Sequence, residues 1–379
     1  MSHGINASRC LCVGHALKET LSASEVRDLL VSVCEEAGCV VTGRLCVSDG
    51  GDGFLEAWRT LDSQARLVQL SAPDARGRPI ATYYLMNEAA QYAVVESAQI
   101  IGLQRIAPPD RAILRSSSAG IADVLADALN RGAKVVYVGV GGTATCDGGY
   151  GFLGRLAQIL RLVLERPWEE LTAHALPVAK LPVGDLRARL SGIRLVGCLD
   201  VENPLCGPNG AAHQFAPQKG ATAEEVEWLD AAIARWAADI EASLGEALQD
   251  RPGAGAGGGL GFALMTLGAE IRAGAGVFLE HATFKDALAA SDLVLTAEGK
   301  FDHTSLRGKA PWRVALAARE IGKAAVILCA RSDHDAMEEA RQQGVTVVPF
   351  AQDLAFEEAC VRTPELIREA LISLLNSVR

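Results

Sequence analysis

The stretch Lys134–Phe152, KVVYVGVGGTATCDGGYGF, constrains this chain more than any other. Val135–Val140 is a β-branched, apolar run of the kind that forms a buried strand. It ends in Gly139, Gly141 and Gly142, then Thr143 and Thr145, then Asp147, Gly148, Gly149 and Gly151. Glycine permits positive φ and close approach of a backbone to a ligand. Bare amides and threonine hydroxyls suit phosphate oxygens. A lone aspartate in such a loop suits a cation or a hydroxyl proton. Tight turns and close helix–strand packing explain the same glycines without any ligand.

Other strand ends repeat the pattern. Leu45–Val47 runs into Ser48-Asp49-Gly50-Gly51-Asp52-Gly53, although an Asx turn capping the next helix accounts for that stretch equally well alone. Ala93–Glu96 is a strand ending in an acid, and Arg194–Leu199 ends at Asp200, ahead of Asn203 and Cys206–Gly210. Leu293–Thr296 leads to Glu298, then Lys300, Asp302, Thr304, Ser305, Arg307 and Lys309 in what reads as a charged loop. Gly253–Gly259 precedes an apolar helix and reads as a phosphate cradle in preference to a linker. Acids at the carboxyl ends of several strands lie where open α/β sheets place their sites. Their recurrence points to a cleft lined with acids and backbone amides.

Helices are marked by their caps. Ser22–Glu25 is a capping box before Val26, Leu29, Leu30 and Val33, with Gly38 as terminator. Glu224–Leu248 carries an apolar stripe at three-four spacing, read as packing and not as a cofactor contact. The turn-rich Pro73–Pro79 is a candidate domain crossing.

At 379 residues the chain suggests two domains. A net charge of -10 without a Lys/Arg run argues against nucleic acid. The ten cysteines form no CxxC pair, so no zinc site is expected. The polar opening MSHGINAS is not a secretory leader, and no apolar run reaches the roughly 18 residues of a membrane span. Scattered thiols then suggest a reducing, cytoplasmic setting.

Two nucleotide motifs fail. Gly308-Lys309 is followed by Ala310, and His303 stands where a P-loop needs its first glycine. Gly139, Gly141 and Ala144 fit GxGxxA, but the acid at the right distance, Glu165, lies in a helix-like run. No GxSxG supports a serine hydrolase. Glycine cradles, acids for magnesium and Lys/Arg for developing charge are the parts of a phosphotransferase.

These blocks resemble one family, the type I glycerate kinases of bacteria. Ser48–Gly53 resembles its ADGGEG, and Gly139–Gly151 resembles GxGGSATNDGGAG. Asp200–Gly210 with Phe215 and Gln218-Lys219-Gly220 resembles DVxNPLCGxxGA…FxxQKGA, and Pro252–Gly261 and Ser291–Pro311 match the remaining blocks. The resemblance implies an α/β protein of two domains. A flavodoxin-like parallel-sheet domain is formed by residues 1–75 together with 286–379, and a second α/β domain, 76–285, is inserted in the middle of the chain. It implies ATP-dependent, magnesium-assisted phosphorylation of D-glycerate to 2-phosphoglycerate, with the 3-hydroxyl as the other position. Expected partners are glycerate and ATP, with no nucleic acid and no membrane, and with a homodimer left open.

On this reading Asp49, Asp147, Lys18 and Lys309 are the catalytic candidates. Asp52, Asn203, Asp302, Thr304 and His15 are expected to hold the acceptor. Gly141, Gly142, Thr143, Thr145, Gly257, Gly258 and Lys219 are assigned to phosphates, and Asp200 and Glu298 to magnesium. The chain departs from the family's first block, PDSFKGSLSA, with His15 for the acid, Ala16 for the serine and Glu19 for a glycine. Later, a family glycine is replaced by Arg331, and Ala297-Glu298-Gly299 stands for GEG. Alternatives are a kinase for another small hydroxy acid, or a diverged homologue that only binds ligand.

Overall fold

The structure, a computed structural model, describes residues 8–17, 20–163, 172–178 and 180–377. Its strands, in chain order, are β1 (Arg9–Gly14), β2 (Val40–Cys46), β3 (Arg66–Pro73), β4 (Pro79–Asn87), β5 (Tyr92–Glu96), β6 (Val135–Gly139), β7 (Arg194–Cys198), β8 (Glu270–Arg272), β9 (Leu293–Phe301), β10 (Ala324–Ser332) and β11 (Val345–Pro349). They form two sheets, and the chain divides into two compact units, one around each.

Unit 1 comprises residues 1–49, 56–63 and 274–379. Its sheet, β11-β10-β9-β1-β2, is parallel throughout. Counted along the chain within this sheet, the order is the flavodoxin-like 2-1-3-4-5. Strands covered on both faces read as continuous apolar runs, and Cys10–Val13, Leu293–Leu295 and Val326–Cys329 are all buried. The helix Ala23–Glu36 starts at the expected capping box, with Ser22 Oγ accepting from Glu25 N and Glu25 Oε2 from Ser22 N. Its Val26, Leu30 and Val33 face the core shared with Ile367 and Leu371 of the closing helix Phe356–Ser377.

Unit 2 comprises residues 50–55 and 64–273. Its sheet, β3-β4-β5-β6-β7-β8, is mixed: β3, β4 and β5 are antiparallel neighbours, and β5 through β8 run parallel. The helix Ala223–Leu244 packs Leu229, Ile233, Trp236 and Ile240 inward and stops at Gly245, whose φ of 68° ends it a turn before Leu248.

Three expectations change. Pro73–Pro79 is not a crossing but the turn of the β3–β4 hairpin, where buried Asp74 accepts the amides of Arg76 and Arg78. The sheet ladder therefore carries residues 64–75 into unit 2, whereas the sequence boundary put them with the parallel sheet. Residues 274–285 pass the other way, because the helix Gly274–Glu280 packs Phe278 edge-on to Trp58 at 5.7 Å. Third, β9 runs on past Glu298 to Phe301, so Lys300 sits on the strand and not in a loop after it. Among the described residues no helix is long and apolar enough to cross a membrane.

Candidate active site

In unit 1 the strand order reverses between β1 and β9, and ligands of open α/β sheets sit at the carboxyl ends beside such a reversal. The register pairs Val13 with Thr296, which brings His15 and Glu298 to that end. Asp49 follows β2. His15 Nε2 lies 3.3 Å from Asp49 Oδ2, and Asp49 Oδ1 accepts the backbone N–H of Ala310 at 2.9 Å. Ala310 opens the helix Ala310–Glu320, so Asp49 lies at its positive end.

Glu298 is 4% exposed. Its Oε1 receives Lys309 Nζ at 2.9 Å and Ser305 Oγ at 2.9 Å, while Oε2 has no partner among the described residues. Burial raises its pKa, and Lys309 and Ser305 oppose that rise. Asp302 caps the short helix His303–Leu306 by accepting from Thr304 and Ser305 amides. For Asp302, burial acts upward, but the Thr304 hydroxyl and Lys309 outweigh it and hold its pKa below the ordinary value. Thr304 itself is exposed and spends its hydroxyl on Asp302. Thus His15, Asp49, Glu298, Asp302, Thr304 and Lys309 come together. Lys18 and Glu19 lie outside the described residues. Ser305, which joins Glu298 to Lys309, was passed over as a site residue; its spacing of three from Asp302 is a capping-box signal.

In unit 2 the loop after β6 is fastened from several sides. Lys219, 4% exposed, donates from Nζ to Thr143 Oγ1 at 3.1 Å and to the Thr145 carbonyl at 2.8 Å. Burial lowers its pKa to about 8. Asp147 is fully buried and accepts from Ser118 N, Ser118 Oγ, Gly149 N and Gly151 N. Its pKa is raised by burial against those donors. The expected open carboxylate is therefore a closed one, because the loop wraps its own acid. Thr143 and Thr145 are buried too, leaving half-buried Gly141 and exposed Gly142 as the accessible part of the loop.

The glycine run Gly253–Gly259 packs against this loop. Gly257, Gly258 and Gly259 all have positive φ, and a Cβ on Gly258 would stand 1.9 Å from the Thr145 carbonyl oxygen. Close backbone packing thus explains Gly258 without a ligand. Asp52 is exposed and lies beside Gly142, 3.2 Å from where a Cβ there would sit. Asp200 follows β7, half-buried. Asn203 closes its own loop, donating from Nδ2 to the Asn209 carbonyl at 2.8 Å, and its carbonyl accepts Gly255 N. Glu96, at the end of β5, accepts amides of the Gly50–Leu55 segment and was not among the expected site residues, although its strand-end position was legible.

The two acids expected to hold magnesium, Glu298 and Asp200, belong to different units. Among the described residues no cluster of three or more His, Cys, Asp or Glu has the arrangement of a metal site. Magnesium usually takes only one or two carboxylates and fills its shell with water and phosphate oxygens. The unpartnered oxygen of buried Glu298 fits that demand.

The profile of the glycerate kinase family matches residues 10–379. The chain is 32% identical to a "Glycerate kinase" of Bacillus subtilis over 95% of its own length and 96% of the relative's. It is 32% identical to a "Glycerate 2-kinase" of Escherichia coli K12 over 87% of each. A crystal structure described as "putative glycerate kinase 2 from Salmonella typhimurium LT2" superposes with a TM-score of 0.76 at 28% identity, covering 98% of both chains.

Proposed function

We propose that this chain, which belongs to the glycerate kinase family, transfers the γ-phosphoryl group of ATP to a hydroxyl of D-glycerate. The 2-hydroxyl is the acceptor position we favour, in line with the relative named glycerate 2-kinase. One observation supports the chemistry most directly: His15, Asp49, Glu298 and Lys309 gather at the carboxyl end of the parallel sheet, where the strand order reverses.

Each group has a role that its surroundings suit. Asp49 has one oxygen fixed by Ala310 N–H and is partly exposed, so we assign it to accept the proton of the attacking hydroxyl. Lys309, with its side chain 36% exposed, is held by Glu298 and Ser305 where it can offset charge on a carboxylate or phosphoryl oxygen. Asp302 and Thr304 lie on the same rim and are assigned to the acceptor's hydroxyl groups. In unit 2 the amides of Gly141 and Gly142 are the proposed phosphate contacts, and Asp52 beside them is assigned to the acceptor. Lys219 and Asp147 then serve by holding that loop in shape. Magnesium, when bound, neutralises phosphate charge. Glu298 would hold it on unit 1, and Asp200 is the candidate on unit 2.

His15 favours a second reading, the same chemistry on another small hydroxy acid, because it occupies one oxygen of Asp49 in place of the family's acid. The deciding experiment is ADP release with ATP, magnesium and a panel of small hydroxy acids. Release that depends on D-glycerate and falls roughly 10²-fold in Lys309→Ala supports the reading. Turnover only with another acid moves the acceptor, and none with any acid leaves a ligand-binding homologue.

A further inference from the structure

Glu96 is a buried acid that the chemistry above does not use. It ends β5 and is 1% exposed. Its Oε1 accepts the amide of Gly53 at 3.2 Å, and its Oε2 accepts that of Leu55 at 2.9 Å. Gln99 Nε2 approaches Oε1 at 3.4 Å. A carboxylate is the side chain with two acceptor oxygens and no donor, so it suits two convergent N–H groups.

The segment it grips is pressed from its other side by backbone. A Cβ on Gly50 would lie 2.2 Å from the Cys198 carbonyl oxygen, and one on Gly141 would lie 2.4 Å from Gly51 Cα. No side chain of the segment intervenes there, and a glycine-rich segment has little stiffness of its own. Those close contacts, the buried side chains of Phe54 and Leu55, and Glu96 together hold its position. The same segment carries exposed Asp52 beside Gly142.

We propose that Glu96 is a positioning residue: it fixes the Gly50–Leu55 segment, and with it the Asp52 carboxylate, against the Gly141–Gly142 turn. Acceptor binding then depends on the Glu96 carboxylate, a consequence that rests on the kinase reading. Burial raises the Glu96 pKa to about 7, the Leu55 and Gly53 amides oppose the rise, and the facing charge of Asp52 adds to it in a smaller measure. Gln99 is neutral and links onward to Arg105. Protonation places an O–H where an amide donor points, which releases one of the two grips.

The test compares the unaltered protein with Glu96→Gln and Glu96→Asp from about pH 5.5 to 8.5, reading kcat and KM for D-glycerate. Hydrogen-exchange protection of residues 48–58, normalised to intrinsic rates, is read in parallel. In the unaltered protein kcat/KM falls below about pH 7, mainly through KM, and protection of Gly53 and Leu55 falls over the same range. Glu96→Gln lowers kcat/KM roughly 10²-fold and flattens the acidic limb. Glu96→Asp, which keeps the charge, restores the limb and part of the activity. Normal kcat/KM with an unchanged acidic limb in Glu96→Gln overturns the proposal, as does protection that ignores pH. If Glu96→Gln does not fold, the exchange titration of the unaltered protein and of Glu96→Asp decides. If the unaltered protein phosphorylates no acid, the kinase reading fails and the same titration still judges Glu96.

Discussion

Lys219 Nζ donates to the Thr145 carbonyl oxygen across 2.8 Å in the packed interior of unit 2. An ammonium there loses its hydration, and its pKa drops from 10.5 to about 8. Between those values the unfolded chain binds more protons at this position than the folded one, so stability rises with pH. Relative to Lys219→Met, the unaltered protein should therefore gain on the order of 3 kcal/mol as pH climbs from about 8 to 10.5. Denaturation of both proteins at stepped pH measures this. Parallel curves would show that the ammonium is solvated.

Asp147→Asn should act on stability before chemistry. The carboxylate serves Ser118, Gly149 and Gly151, and an amide offers one acceptor oxygen in place of two. Each buried donor left unsatisfied costs about 1–3 kcal/mol. We expect a lower thermal midpoint, with activity per folded molecule reduced less than the roughly 10²- to 10⁴-fold of a lost general base. An unchanged midpoint with collapsed kcat would return Asp147 to the chemistry.

Gly258 is a packing residue, and Gly258→Ala tests that. Its φ is 71°, and the added Cβ would stand 1.9 Å from the Thr145 carbonyl oxygen. Backbone cannot yield as a flexible side chain does, so a loss of at least about 2 kcal/mol is expected. Gly207→Ala is the control: it also has positive φ, but its Cβ would meet nothing within 4 Å among the described residues. Equal losses in the two variants would mean that backbone strain alone, not the approach of the two loops, sets the cost.

The parallel strands were legible because burial on both faces makes continuous apolar runs, as in Cys10–Val13 and Val326–Cys329. The capping box at Ser22 marks its helix start locally and is present, whereas the matching box at Thr222 was not read from the sequence. The hairpin of β3 and β4 was missed: its alternating strands are broken by exposed Leu67 and by Pro73 and Pro79, so turn chemistry hid the ladder. Strand-end position made Asp49 and Glu298 candidates, whereas His15 and Lys309 became candidates through the family resemblance, and the structure brings the four side chains together. Which way a polar group faces was not legible. Asp147 and Lys219 look like open site residues in the sequence, yet contacts from residues 29 and 76 positions away close over them.

His15 gives the sharpest contrast with the family pattern. Its Nε2 lies 3.3 Å from Asp49 Oδ2, and the other Asp49 oxygen is taken by Ala310 N–H. Histidine offers this aspartate a donor, whereas the family's acid would set a second carboxylate against it. Two carboxylates at such range resist joint ionisation, and a divalent cation relieves them. His15→Asp should therefore lower the thermal midpoint at neutral pH without magnesium, and added magnesium should restore it. Asp49 is about a third exposed, so solvent screens the repulsion and the expected cost is about 1 kcal/mol, a shift of a few degrees. If glycerate is the acceptor, the same variant should reach half-maximal ADP release at a lower magnesium concentration. An equal magnesium-induced shift in both proteins would place His15 away from the cation, and its pairing with Asp49 would then be a purely local contact.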